Sequence, residues 1–177
     1  MSQFQHLFQL LKIGSIELNN RTVMLAILPL YGKNDQPTQR LTDFYVARAK
    51  GGVGLIIASI FYPVDSGQEG GVGIYDDRFL PGLREMTKAI HDNGGKVAAQ
   101  LCIQYHWRKD ITLPAEIVAP SEVTTRPCMT PRELTHHEVR YLVGQFGDAA
   151  RRAREAGFDA VELHAGIGYL ITRFLSP

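Results

Sequence analysis

The residues best suited to chemistry lie near the end of the chain, where a short apolar run is followed by His164, a small-residue turn and Tyr169. A neutral imidazole can donate a hydrogen bond to a carbonyl oxygen, and a phenol can deliver a proton to a carbanion-like centre. A lone histidine is more often structural. We therefore treat as a hypothesis that His164 and Tyr169 form a site that binds and protonates a polarised substrate.

A second candidate is Gln100, which lies near the carboxyl end of an apolar run. A buried amide must find hydrogen-bond partners, because its desolvation is otherwise costly. Two interpretations stay open. Gln100 is either a core residue satisfied by its neighbours or an amide that binds the polar edge of a heterocycle.

Two other patterns favour simpler interpretations. The glycine-rich segment 67–73 lacks the Gly-Lys-Ser/Thr ending of a P-loop and the helix spacing of a dinucleotide motif, so it predicts a mobile surface loop. The run His136-His137-Glu138 places adjacent histidines on different helical faces with no third ligand evident. We expect solvated residues in the first turn of a helix there, and no metal site.

These candidates need a scaffold, and hydrophobic periodicity predicts one. Continuous apolar runs predict four buried strands, at residues 22–28, 53–59, 96–101 and 158–163. Helical spacing predicts three helices between them, the last beginning with a capping box formed by Thr135 and Glu138. Residues 7–19 predict a small hairpin, and the prolines between residues 102 and 135 favour an irregular excursion.

Strands that alternate with helices predict an α/β fold with a parallel sheet and right-handed crossovers. The side chains at the carboxyl ends of such strands converge on one mouth, which is where His164 is expected. Two architectures compete. An open doubly wound sheet fits four strands into 177 residues, whereas a complete (β/α)₈ barrel typically needs about 250.

Composition excludes several classes of function. The chain has 177 residues, of which 45% are hydrophobic, so we expect one domain spanning residues 1–177. A net charge of +1 provides no excess of positive charge with which to bind nucleic acid or an anionic membrane. No signal peptide or membrane span is evident. Cys102 and Cys128 lack CxxC spacing, which favours a cytoplasmic location over a disulfide between them. A small molecule or a protein is the expected partner.

The chain resembles the N-terminal half of the Old Yellow Enzyme family of flavin-dependent ene-reductases. The resemblance covers nearly the whole chain and rests on an ordered series of segments: Leu7-Phe8, Lys12-Ile13-Gly14, Leu18 to Met24, Tyr45 to Ile57, Gln100-Leu101, Ala119-Pro120-Ser121 and His164 to Pro177.

The resemblance implies half of a (β/α)₈ TIM barrel, with about four βα units, outer helices and an N-terminal hairpin. It implies FMN and NAD(P)H as cofactors and an activated alkene as the small-molecule substrate. Tyr169 would be the catalytic proton donor to the α-carbon, and His164 would bind and polarise the substrate. The implied cofactor-binding residues are Leu25, Ala26, Ile27, Leu28, Ala58 and Gln100.

The sequence departs from the family pattern at three places. The segment 25–28 lacks the hydroxyl or thiol that tunes the flavin. Ile167 replaces the histidine or asparagine that completes the substrate-anion pair. Ile103, Tyr105 and His106 replace a histidine, glycine and arginine. Losing one charge-stabilising donor lowers the expected activity on simple enones by about 10²-fold. We therefore expect another substrate class, such as a CoA thioester or a bulky steroid-like enone.

The resemblance ends just beyond the fourth strand, so half of the barrel is absent, including the loops after strands 7 and 8 that supply the phosphate site. We expect a fragment of a longer chain, with a self-associating half-barrel as the second expectation. An alternative function follows: a non-catalytic assembly module. Its partner would be a second copy in a homo-oligomer, or a missing C-terminal half-barrel.

Overall fold

A computed structural model describes residues 4–110, 112–123, 130–166 and 168–176. The helices are α1 (Gln39–Lys50), α2 (Leu80–Asp92), α3 (His136–Glu155) and α4 (Leu170–Leu175). The strands are β1 (Leu11–Ile13), β2 (Ile16–Leu18), β3 (Val23–Met24), β4 (Gly32–Lys33), β5 (Gln36–Pro37), β6 (Leu55–Tyr62), β7 (Val72–Gly73), β8 (Val97–Leu101), β9 (His106–Trp107), β10 (Glu116–Ala119), β11 (Arg132–Glu133) and β12 (Ala160–Leu163).

The central sheet has the strand order β12-β8-β6-β3, and β7 pairs with the far end of β6. All of these pairings are parallel. Neighbours in the sheet follow chain order without the reversal that defines a doubly wound sheet. The carboxyl ends of β3, β6, β8 and β12 therefore lie along one edge, as in a segment of a barrel.

The helices cover one face of this sheet. Alternate strand residues such as Ile56, Val97 and Ala99 are buried in one cluster with Tyr45 of α1, Leu83 of α2 and Ala149 of α3. The remaining strand residues, including Ala98 and Gln100, point to the opposite face. This opposite face is called the inner face below. The predicted α/β architecture with outer helices and an N-terminal hairpin, β1-β2, is confirmed.

The starts of β8 and β12 are tied together by Asp159. Its carboxylate accepts hydrogen bonds from Val97 N at 2.9 Å, His91 Nε2 at 2.8 Å and Lys96 Nζ at 2.9 Å. Its own backbone N donates to Val97 O at 2.8 Å. Burial alone would raise the pKa of Asp159, but these hydrogen bonds outweigh it and hold the pKa below its ordinary value.

The predicted start of α3 is confirmed. The Thr135 hydroxyl accepts from Glu138 N, and the Glu138 carboxylate accepts from Thr135 N, which completes the capping box. Glu138 also binds Arg132 and Lys109, and the hydrogen bond from Arg132 is the main reason that its pKa lies well below its usual range. His136 and His137 beside it are exposed, as expected.

The expected irregular excursion between residues 102 and 135 is wrong. Its described part contains β9, β10 and β11 in one sheet, packed on a small core that includes Trp107, Val118 and Leu134. Pro114 precedes β10, Pro120 follows it and Pro131 precedes β11. The prolines thus lie at strand ends, where no ladder hydrogen bond is lost.

The glycine-rich segment 67–73 differs from its prediction in its second half. Residues 71–74 are buried, and β7 lies within this segment. A Cβ at Gly71 would stand 2.7 Å from the Tyr62 ring, so only glycine allows this close approach. The backbone of Gly70 accepts a hydrogen bond from Gly32 N at 2.8 Å. The second half of the segment is therefore packed against β6, whereas Gly67 and Glu69 in its first half are exposed, as expected for a surface loop.

Apolar side chains are exposed where the sheet ends. Leu163 of β12 is 54% exposed and lines a groove of about 320 Å³ with Val143 and Phe146 of α3 and Phe174 of α4. In the described part of the chain, no helix is long and apolar enough to cross a membrane.

Replacing Asp159 by alanine is expected to lower the free energy of unfolding by about 2 kcal/mol at pH 7, because three donors lose a charged acceptor. A carboxylate whose pKa is lowered by folding stabilises the protein above about pH 4 and loses that contribution as the pH falls through its folded pKa. The difference between wild type and Asp159→Ala should therefore shrink towards pH 2. Urea unfolding at several pH values measures it.

The matched control is Asp92→Ala, which removes an exposed partner of Lys88. It should change the free energy of unfolding by less than about 0.5 kcal/mol. Equal effects of the two substitutions would contradict the role of Asp159 in joining β8 to β12.

Candidate active site

The candidate residues meet at the carboxyl edge of the sheet on its inner face, which we call the mouth. Gln100 of β8 lies opposite Glu162 of β12 in the parallel register. Two residues further along the same face lie Cys102 and His164. The mouth therefore has a floor, formed by Gln100 and Glu162, and a rim that carries His164.

Gln100 is 7% exposed, and its Nε2 donates to Glu162 Oε1 at 2.7 Å. Its other polar atom, Oε1, accepts no hydrogen bond from any described residue. Both interpretations drawn from the sequence thus hold in part. One end of the amide is satisfied by a neighbour, and the other end is available to a ligand.

His164 is half-buried directly after β12, and its backbone N donates to Leu101 O at 3.0 Å. Its Nδ1 accepts a hydrogen bond from Gly166 N at 3.3 Å. Because Nδ1 accepts, the neutral ring carries its proton on Nε2. His164 therefore presents an N–H donor away from the turn that holds it.

Tyr169 lies next to His164, as the sequence predicts. The two ring centroids are 4.8 Å apart and the rings are nearly perpendicular, at 80°. Gln104 Nε2 donates to the Tyr169 hydroxyl oxygen at 3.3 Å, which leaves the hydroxyl proton available to another acceptor. Leu170, buried at the start of α4, anchors the tyrosine from the C-terminal side.

The segment 25–28 leaves the sheet at the end of β3, which is shorter than the predicted strand 22–28. Leu25 is 71% exposed and Ile27 is 56% exposed, whereas Ala26 and Leu28 are half-buried. Leu28 packs with Tyr169 against a small cluster of Ile60, Tyr62 and Cys102. This segment therefore forms an apolar wall of the mouth.

Ala58 does not end the second strand, as the sequence predicted, because β6 continues to Tyr62. The Ala58 side chain is fully buried in the cluster beneath the helices. The pairing of β6 with β8 becomes irregular just after Ala58, where Ser59 N donates to the Tyr45 hydroxyl at 2.8 Å. This irregularity turns Ile60 and Tyr62 towards the inner face. Flavin contact by Ala58 stays a prediction.

Sequence reasoning missed Tyr62, Cys102 and Glu162. The Tyr62 hydroxyl is buried without a hydrogen-bond partner among the described residues, and burial raises its pKa. Burial also raises the pKa of Cys102 to about 12, so its thiol stays protonated. A signal for Glu162 was present, since a charged residue inside an apolar strand requires a partner. Cys128 and Ile167 lie outside the described residues.

In the described part of the chain, no group of three or more histidine, cysteine, aspartate or glutamate residues could hold a metal ion. Besides the Glu162 carboxylate, which is engaged by Gln100, the polar groups of the mouth include an amide, an imidazole and a phenol. Such neutral groups bind and protonate organic molecules. A parallel sheet with these groups at its carboxyl edge and helices behind it defines the class of fold: a segment of a (β/α)₈ barrel.

The sequence profile of the NADH:flavin oxidoreductase / NADH oxidase family matches residues 6–177. The chain belongs to this family. It is 39% identical over 173 residues to the metal reductase of Desulforamulus reducens, and 39% identical over 188 residues to the NADH oxidase of Thermoanaerobacter brockii. It is 38% identical over 176 residues to the NADPH dehydrogenase of Listeria welshimeri.

These matches cover 97–100% of the chain but only part of each relative: 26% of the metal reductase, 28% of the NADH oxidase and 51% of the NADPH dehydrogenase. Among the curated relatives it matches, the chain thus spans about half the length of the dehydrogenase and about a quarter of the two others. All three names describe oxidoreductases, so they do not favour a non-catalytic assembly module.

Comparison with solved structures agrees with this family assignment. The chain superposes on TcOYE with pHBA at a TM-score of 0.86 and 27% identity, covering 97% of the chain and 54% of TcOYE. It superposes on morphinone reductase in complex with tetrahydroNAD at 0.85 and 28% identity, covering 96% and 52%. The predicted half of an Old Yellow Enzyme TIM barrel is confirmed. FMN and NAD(P)H as the cofactors are confirmed at the level of the family.

The two buried tyrosines provide a matched pair. Tyr62→Phe removes a hydroxyl that has no described partner, so the free energy of unfolding should stay within about 0.5 kcal/mol or rise. Tyr45→Phe removes the acceptor of Ser59 N and leaves a buried N–H unpaired. This substitution should lower the free energy of unfolding by about 1–3 kcal/mol. Urea unfolding of both variants measures the difference. A loss at Tyr62 as large as that at Tyr45 would reveal a partner for the Tyr62 hydroxyl.

Proposed function

We propose that this chain supplies the flavin-binding and substrate-protonating half of an NAD(P)H-linked ene-reductase that reduces activated carbon–carbon double bonds. The observation that carries the proposal is the arrangement at the mouth. A hydrogen-bond donor on His164 and a phenol on Tyr169 stand side by side above the Gln100 amide. Family membership supports the oxidoreductase class, and the mouth supports the finer assignment.

Two features of the mouth fit FMN. Gln100 Oε1 is a free acceptor on the floor, which suits an N–H on the pyrimidine edge of the isoalloxazine. Leu25 and Ile27, in the segment that follows β3, expose apolar surface, which suits a flat aromatic face. We therefore assign FMN to Gln100 and to the segment 25–28. When bound, FMN supplies a hydride that originates from NAD(P)H.

His164 binds the activating group of the alkene. Its Nε2–H donates to the carbonyl or nitro oxygen of the substrate. Hydride addition to the β-carbon leaves negative charge near that oxygen, so the donor stabilises the transition state more than the ground state. The hydrogen bond from Gly166 N keeps the proton on Nε2, where it is needed.

Tyr169 delivers a proton to the α-carbon. Because its oxygen already accepts from Gln104, its hydroxyl hydrogen remains free for donation to a bound substrate. Tyr105 contributes a further aromatic wall, with its ring centroid 6.3 Å from that of Tyr169. A single anion-binding donor combined with apolar and aromatic walls favours substrates that gain affinity from a large apolar body, such as a bulky enone or a thioester.

The purified chain titrated with FMN tests the proposal. We expect quenching of FMN fluorescence, a yellow protein after gel filtration, a charge-transfer band on adding a phenol, and NAD(P)H-dependent consumption of an enone. The colourless chain without a charge-transfer band would refute catalysis by this chain alone. Bound FMN without alkene reduction would refute ene-reduction by this chain alone but leave flavin binding intact.

Tyr169→Phe tests the acid. The turnover number for alkene reduction should fall by about 10²-fold or more, because a positioned general acid contributes roughly 10²–10⁴-fold. The rate of FMN reduction by NAD(P)H should stay unchanged, since no proton from Tyr169 is needed in that half-reaction. Stopped-flow absorbance separates the two half-reactions. Tyr141→Phe, on the helix side beside Trp107, is the matched control. Equal alkene reduction by wild type and Tyr169→Phe would rule out this role.

A further inference from the structure

The floor of the mouth contains a contact that the proposed function leaves unexplained. Glu162 lies on the inner face directly opposite Gln100, and its Oε1 is 2.7 Å from Gln100 Nε2. Both residues belong to paired strands, so this contact is set by the register of the sheet and not by a loop. Glu162 lies two residues before His164, one layer deeper in the mouth.

The chemistry of this contact fixes the orientation of the amide. A glutamine side chain presents an acceptor at one end and a donor at the other, and a half-turn about its last bond exchanges them. An ionised carboxylate only accepts hydrogen bonds, so the atom facing Glu162 must be the amide nitrogen. The carbonyl oxygen is then the end that faces the mouth.

We propose that Glu162 is a positioning residue that locks Gln100 with its oxygen towards the ligand, so that the floor recognises a heterocycle by an N–H donor. This inference rests on the proposed function, in which the heterocycle is the pyrimidine edge of FMN. Without Glu162, the amide can turn its NH₂ group towards the mouth. Its NH₂ group would then face the N–H of the ligand, and two donors cannot form a hydrogen bond with each other. Glu162 thus acts on the ligand through Gln100.

A double-mutant cycle on FMN binding tests the inference. Glu162→Leu should weaken FMN binding about fivefold and Gln100→Leu about tenfold, in line with the loss of one hydrogen bond. The double variant should bind no more weakly than Gln100→Leu, because Glu162 has no effect once the amide is gone. Fluorescence quenching measures each dissociation constant, and urea unfolding of each variant verifies that it is folded.

Two further variants separate the contact from general effects. Glu162→Gln can offer Gln100 either an oxygen or an NH₂ group, so it keeps a hydrogen bond but allows both orientations of the Gln100 amide; FMN binding should weaken only about twofold. Glu85→Leu makes the same chemical change on the exposed surface of α2 and should not alter binding. If Glu162→Leu does not fold, Glu162→Gln still tests the contact, because a loss as large as that of Gln100→Leu would overturn the hydrogen-bond role.

The two levels of the proposal fail in different ways. Additive losses from Glu162→Leu and Gln100→Leu, with FMN bound by the wild type, would overturn the positioning role and leave flavin binding intact. Absence of FMN binding by the wild-type chain would overturn the proposed function and this inference with it.

Discussion

The parallel register between β8 and β12 is the constraint on which the candidate site depends. Successive side chains of a strand point to opposite faces, so a slip of one residue would carry Glu162 and His164 from the inner face to the helix side. Asp159 sets this register at the start of both strands, through its backbone bond to Val97 O and the bond from Val97 N to its carboxylate. Three residues later, the same register brings Glu162 opposite Gln100.

Much of the scaffold was predictable because its signals are local. Helical spacing and the capping box at Thr135 gave α3, and apolar runs located all four main strands. The extent of β6 was not predictable, because a strand buried on both faces shows no alternation, and its pairing irregularity after Ala58 depends on the Tyr45 hydroxyl from α1. The prolines between residues 102 and 135 led to a wrong prediction of irregular structure. They were interpreted as breaking structure, while their positions at strand ends become visible only once the strands are known.

The site was predictable in part. The positions of His164 and Tyr169 follow from one strand and one turn, so their proximity could be inferred from the sequence. The partners that orient the site residues come from elsewhere in the chain. Glu162 meets Gln100 across 62 residues, and Gln104 meets Tyr169 across 65. No local sequence pattern predicts such pairs of residues, because each pair depends on which strands become neighbours in the sheet.

These partners share one physical role. Glu162 holds the nitrogen of Gln100, Gly166 occupies Nδ1 of His164, and Gln104 donates to the oxygen of Tyr169. Each contact fixes the hydrogen-bonding character of the end that stays free: an acceptor on the floor, an N–H donor on the rim and an O–H donor beside it. Groups oriented in advance need little reorganisation when charge develops on a substrate, which makes their stabilisation larger than that of freely rotating groups. The mouth can therefore distinguish a ligand by the order of its donors and acceptors, even though none of its three working groups carries a fixed charge.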